Sequence, residues 1–65
     1  MISYKPLWET MEKKNISQYQ LIKEYGFRRD NYLGLRKNNY VSTHTIEVLC
    51  DILDCKVEDI MVYRR

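Results

Sequence analysis

Between residues 28 and 37 the chain carries Arg28, Arg29, Arg36 and Lys37, opposed only by Asp30. Such side chains bind oxyanions: a guanidinium offers a planar fork of donors and an ammonium a compact charge. The other residues capable of site chemistry are His44, Cys50 and Cys55. A zinc reading would join His44 to the two cysteines, but three ligands at this spacing match none of the familiar zinc patterns. A disulfide framework would need a secreted context that nothing else in the chain supports. Each cysteine falls instead where a helical apolar stripe takes a small hydrophobe. One histidine, no glycine-rich phosphate loop and no nucleophile elbow leave catalysis without a foundation. The expectation is a protein that is not an enzyme and takes no metal, cofactor or small-molecule ligand.

A net charge of +2 over 65 residues is too small to prove a polyanionic partner, and its distribution is more informative. From Glu47 to Arg65 five acids face three bases, so the chain has a basic segment and an acidic far side. A hydrophobic fraction of 45% is that of a folded domain. The length suits one domain over residues 1–65, near the lower limit for unaided folding, so self-association is a reasonable expectation. The opening MISYKPLWE lacks the apolar stretch of a signal peptide, and no run is long enough to span a membrane. A cytoplasmic location follows as an expectation.

The elements that must position the basic segment can be read from punctuation and period. Pro6 suits a first helical turn, and Leu7, Trp8 and Met11 form one apolar face up to about Lys14. Ser17 with Gln20 is a capping-box arrangement that opens a second helix. Its inward residues are expected to be Leu21, Ile22 and Tyr25, and Gly26 ends it. A third helix runs from about Arg28 to Lys37 with Tyr32 and Leu35 inward, and Asn38-Asn39 can take left-handed angles and stop it. Ser42 caps a fourth, in which Ile46, Leu49, Cys50 and Leu53 make a 3.6-period stripe. Val57 to Met61 reads as a last short turn or the start of a strand. Ile2–Tyr4 and Ile60–Tyr63 could pair as a small two-stranded ribbon. The fold class is all-α: four to five short helices in a compact array, with or without that terminal ribbon.

The unit from about residue 17 to 37 is a capped helix, a glycine-containing tight turn and a basic helix. Such a turn sets two helices at a steep angle, so the second can enter a DNA major groove while the first crosses the backbone. With Tyr32 and Leu35 inward, Arg29, Asp30, Leu33, Gly34 and Lys37 point outward. The same positions would equally make a plain solvated face.

From Asn15 to Ile60 the sequence resembles the phage-repressor (Cro-like, or XRE) helix-turn-helix regulators, which have the lambda-repressor-like fold. The residues that carry the resemblance are Ser17-Gln18, Leu21-Ile22, Gly26-Phe27, Tyr32 and Leu35. It continues through Val41-Ser42, Thr45-Ile46, Leu49-Cys50, Leu53, Val57 and Asp59-Ile60. The opening Ile2 to Trp8 also looks like a subgroup of very small stand-alone members.

The resemblance implies that Gln18 bonds a backbone phosphate and that Arg28, Asn31, Arg36 and Lys37 mostly contact phosphates and fix register. It places Arg29 and Asp30 where base edges are read. Arginine can pair bidentately with guanine, and a carboxylate can accept from the cytosine amino group. Leu33 would touch a thymine methyl or simply cover the edge of the core. Asn39 and Tyr40, after the helix, would add phosphate contacts.

The sequence departs from that family's pattern in four places, the mildest being Asn38 where a glycine is common. Arg28 stands where a Ser or Thr cap is usual. Asp30 could serve the helix N-terminus or neutralise Arg29 instead of reading a base. Gly34 offers no side chain at an outward position and costs about 1 kcal/mol of helix stability relative to alanine.

The function implied is sequence-specific binding of double-stranded DNA by a transcriptional regulator, a repressor, working as a homodimer on a palindromic site. The alternative is a protein-interaction module of the same fold, antitoxin-like or a phage accessory subunit, with weak or no DNA binding. Ile2–Tyr4 and Met61–Tyr63 are the candidate dimer surfaces, unless each end only closes its own core.

Overall fold

A computed structural model describes all 65 residues. The order is β1 (Ile2–Ser3), α1 (Lys5–Lys14), α2 (Gln20–Glu24), α3 (Arg29–Arg36), α4 (Thr43–Leu53), a 3-10 turn (Val57–Asp59) and β2 (Val62–Tyr63). No helix is long and apolar enough to cross a membrane.

Helix α1 begins with Pro6 in its first turn and ends at Asn15, whose φ of 60° lets its N–H reach back to Glu12 O at 3.1 Å. The capping box before α2 forms in both directions. Gln20 N–H donates to Ser17 Oγ at 3.2 Å, and Ser17 N–H donates to Gln20 Oε1 at 2.9 Å. The body of α2 is wound as a π-helix, with Tyr25 N–H closing on Gln20 O at 3.1 Å. Gly26 then turns the chain at φ 71°, and Phe27 N–H bonds back to Leu21 O at 3.1 Å.

The expectation for Tyr25 needs correction. Leu21 is fully buried and Ile22 packs against the core, but Tyr25 is 49% exposed. Phe27, delivered by the Gly26 turn, is the buried aromatic at this end of the core. A buried tyrosine would also need a partner for its hydroxyl, and a phenylalanine does not.

Helix α4 starts at Ser42, whose Oγ accepts from Thr45 N–H at 3.2 Å, and it buries Ile46, Leu49 and Leu53 on one stripe. Its half-buried Cys50 is a free thiol, as is Cys55 beyond the helix end. Burial pushes the Cys55 thiol up to about 11, which keeps it protonated at neutral pH and correspondingly unreactive.

Leu7 and Met11 of α1, Leu21, Tyr32 and Leu35 of α3, and the α4 stripe meet in one core closed by Tyr4 and Ile60. The terminal ribbon exists: β1 and β2 are antiparallel, with Ile2 opposite Tyr63 and Ser3 opposite Val62. Strands this short do not persist alone. Here Tyr4 and Ile60, just inside each strand, are buried and hold the two chains side by side. Thr10 Oγ1 donates to Asp59 O at 2.7 Å and ties the 3-10 turn to α1.

Candidate nucleic-acid interface

Helix α3 is anchored by Tyr32 and by Leu35, which is 1% exposed. At helical spacing these anchors turn Arg29, Asp30, Leu33 and Lys37 to solvent, Arg36 is exposed at the flank beside Tyr32, and Leu33 is 43% exposed. Asn31 is half-buried. Eight residues make a helix about 12 Å long. With its side chains a helix is also about as wide as the B-DNA major groove.

Gly34 is not a bare outward position. It is half-buried, its carbonyl accepts from Asn39 N–H at 2.8 Å, and a Cβ placed there would lie 3.9 Å from Asn39 Cβ. The chain after α3 folds back over it.

At the N-terminal end, Arg28 takes the cap position with extended ψ and makes no side-chain cap bond. Its guanidinium instead grips Asp30, with Nε donating to Oδ1 at 3.1 Å and a terminal nitrogen to Oδ2 at 3.3 Å. Hydrogen bonding to Arg28 holds the Asp30 carboxyl below the usual carboxylate range, and the same pairing raises Arg28. Asp30 also accepts from Asn31 N–H at 3.0 Å, inside the first helical turn. The acid therefore engages Arg28 and not Arg29, and both partners of the pair are exposed.

Arg29 is brought to Gln18 across the turn. Together with Tyr19, Ile22 and Lys23 these two line an open recess of about 250 Å³ between the start of α2 and the start of α3. Lys23 was not among the residues read from the sequence, although its basic side chain one helical turn beyond Tyr19 is the signal that could have found it. A second recess, of about 180 Å³, joins Arg28 and Asn31 to His44 and Thr45 in the first turn of α4. His44 was considered only as a metal ligand. Its place just after the Ser42 cap puts it on the same side as the start of α3, with Glu47 Oε1 3.7 Å from its Nδ1.

The C-terminal end of α3 is built by distant residues. The Arg36 guanidinium lies over the Trp8 ring, 4.8 Å from its centroid, and the edge of that ring pair is completed by Tyr32 at 5.7 Å and 71°. Asn38 turns the chain at φ 61°, and its Nδ2 donates to Ile2 O at 2.6 Å. The Tyr4 hydroxyl donates to Asn39 O at 2.9 Å. Burial pushes that phenol above the ordinary tyrosine range, partly offset by a backbone hydrogen bond at Val41. Tyr40 follows at 86% exposure, while Lys37 and Asn39 are also exposed.

Gln18, Lys23 and Arg29 thus share one recess at the start of α3, and Leu33, Arg36, Lys37, Asn39 and Tyr40 are exposed along the rest of it and just beyond its end. Every buried side-chain nitrogen and oxygen has a partner. No three His, Cys, Asp or Glu side chains converge.

A family model for the Cro/C1-type HTH DNA-binding domain matches residues 6–64, a wider span than the sequence pattern marked. The chain is also similar to the crystal structure of the transcriptional regulator VanUg (Form II), with a TM-score of 0.84 at 26% identity, covering 94% of this chain and 81% of that one. No curated protein matches the chain.

Proposed function

The chain belongs to the Cro/C1-type helix-turn-helix DNA-binding family, and on that premise we propose that it binds double-stranded DNA sequence-specifically as a cytoplasmic transcriptional repressor, with α3 in the major groove. The observation that carries this reading is the outward face of α3. Arg29, Asp30, Leu33 and Lys37 are solvent-exposed on a helix whose opposite side is locked by Tyr32 and Leu35, and Arg36 is exposed at its flank beside Trp8.

Arg29 has no side-chain partner among the salt bridges and sits at the helix start, where a base edge is within reach. Gln18, Arg28, Arg36 and Lys37, with Asn31, Asn39 and Tyr40, supply the surrounding phosphate contacts that set register. One domain of residues 1–65 covers few base pairs, so a homodimer on a palindrome is the economical arrangement, with half-sites about one helical turn apart. Met1, Val62 and Tyr63, exposed at the terminal ribbon, give that dimer an apolar surface. The neighbour VanUg, a transcriptional regulator, is consistent with this role.

The Arg28–Asp30 pair favours a second reading, a protein-interaction module, because it occupies one of the four bases of the segment. Fluorescence anisotropy with labelled duplexes of mixed sequence, at low and moderate salt, separates the two. Phosphate contacts release counterions, so DNA binding weakens steeply with salt. Binding that is salt-sensitive and lost in an Arg29→Ala, Arg36→Ala double variant supports the repressor reading. No wild-type binding at low salt sinks it and leaves the interaction module.

A further inference from the structure

Trp8 belongs to α1, outside the helix-turn-helix unit, yet its ring meets two residues on one side of the recognition helix, the buried Tyr32 and the exposed Arg36. Its contact with Tyr32, edge to face at 5.7 Å, joins it to the buried side of α3. Its face carries the guanidinium of Arg36, which is otherwise exposed at the last turn. The two contacts come from residues four apart on one helix, so the ring is wedged against α3 and cannot swing away without giving up both.

An unrestrained arginine samples many rotamers and loses them when it binds. A guanidinium lying over a ring is restrained through its flat face, while its N–H donors radiate from its edge. The stack therefore restrains Arg36 without consuming the donors that a phosphate needs. Arg28 is the opposite case, because two of its five donors, on Nε and one terminal nitrogen, already go to Asp30.

We infer that Trp8 is a positioning residue for DNA binding: it holds Arg36 in a preset pose toward a backbone phosphate, so that α1 contributes to affinity without touching the duplex. The role rests on the DNA-binding reading above. The N-terminal segment braces the same end of α3 twice more, through Ile2 O to Asn38 and through the Tyr4 hydroxyl to Asn39 O.

The test is a double-mutant cycle of Trp8→Leu, Arg36→Ala and the two combined, read by anisotropy against mixed-sequence duplexes at two salt concentrations, with a thermal melt of each variant. Trp8→Leu should weaken binding about three- to five-fold when Arg36 is present, the range of an exposed cation–π contact, and hardly at all in the Arg36→Ala background. Arg36→Ala should lower the salt slope by about one. Trp8→Phe, which keeps a ring, should retain most of the affinity.

Should Trp8→Leu fold poorly, the free protein gives the answer by another route. Trp8 is the single tryptophan, and Arg36→Ala, at an exposed site, should increase its collisional quenching by acrylamide. Unchanged quenching overturns the stack. Equal losses from Trp8→Leu in both backgrounds overturn the positioning role while leaving DNA binding intact. Failure of the wild type to bind any duplex at low salt overturns the DNA reading, and the positioning role with it.

Discussion

At its N-terminal end α3 is held by neighbours in sequence, and at its C-terminal end also by residues of the distant N-terminal segment. Arg28, Asp30 and Asn31 bond among themselves on an exposed surface. Asn38 and Asn39 are bonded by Ile2 and Tyr4, at separations of 36 and 35 residues, beside the stack of Arg36 on Trp8. Exposed ion pairs are screened by water and exchange partners readily. The Asn38 bond to Ile2 is exposed too, but the Tyr4 bond to Asn39 is partly buried and starts from a core residue. One end of the helix is therefore adaptable, the property useful for reading bases. The other is preformed, the property useful for seating a backbone phosphate in register.

The largest perturbation should erase the distinction. Leu35→Ala removes the buried anchor shared by both ends, at a cost of about 2–5 kcal/mol. That consumes most of the stability of so small a domain, so urea or thermal unfolding should find it largely unfolded near room temperature. A cooperative melt within a few degrees of wild type would show that the ends are anchored elsewhere.

Tyr4→Phe should break the symmetry the other way. It deletes only the hydroxyl that bonds Asn39 O, for a loss of about 0.5–1.5 kcal/mol in urea titration. Hydrogen exchange should quicken at the Asn38 and Asn39 amides and stay unchanged at Asn31. Equal acceleration at both ends would mean that the helix moves as one body.

Gly34→Ala should strengthen the helix between the two ends. The added Cβ meets only Asn39 Cβ at 3.9 Å, an ordinary contact, so the helix gains about 1 kcal/mol. A melting temperature several degrees higher is the expected result. A lower one would reveal that the returning chain packs more tightly on α3.

The smallest effect belongs to Asp30→Asn. Because Arg28 depresses the Asp30 carboxyl, their pairing stabilises the fold above the ordinary carboxylate pKa and is lost as pH falls through the lowered value. The variant should lack that acid-side dependence in a pH series of melts. With Arg28 released, the salt slope of DNA binding should steepen by up to one. An unchanged slope would place Arg28 out of reach of phosphate.

These two ends also mark how far residue patterns reach. Pro6, the Ser17–Gln20 box, Gly26, Asn38 and Ser42 were legible as helix boundaries because each acts within one turn on its own backbone. Tyr32 and Leu35 followed from period alone, and with them the outward set on α3. The sequence pointed Asp30 to Arg29 and the structure pairs it with Arg28, since both are near enough in sequence and only side-chain geometry chooses between them. Tyr25 was misplaced because helical spacing says nothing of which aromatic, Tyr25 or Phe27, a glycine turn will carry inward.

By itself the sequence determined the helices, their caps, the core stripe and the basic segment, since backbone preference and hydrophobic period are local properties of the chain. Tertiary structure alone decided that Gln18 and Arg29 share a recess and that Arg36 rests on Trp8. Those contacts join residues whose distance depends on how whole helices cross. Crossing is settled by the packing of the core, which no short stretch of sequence contains.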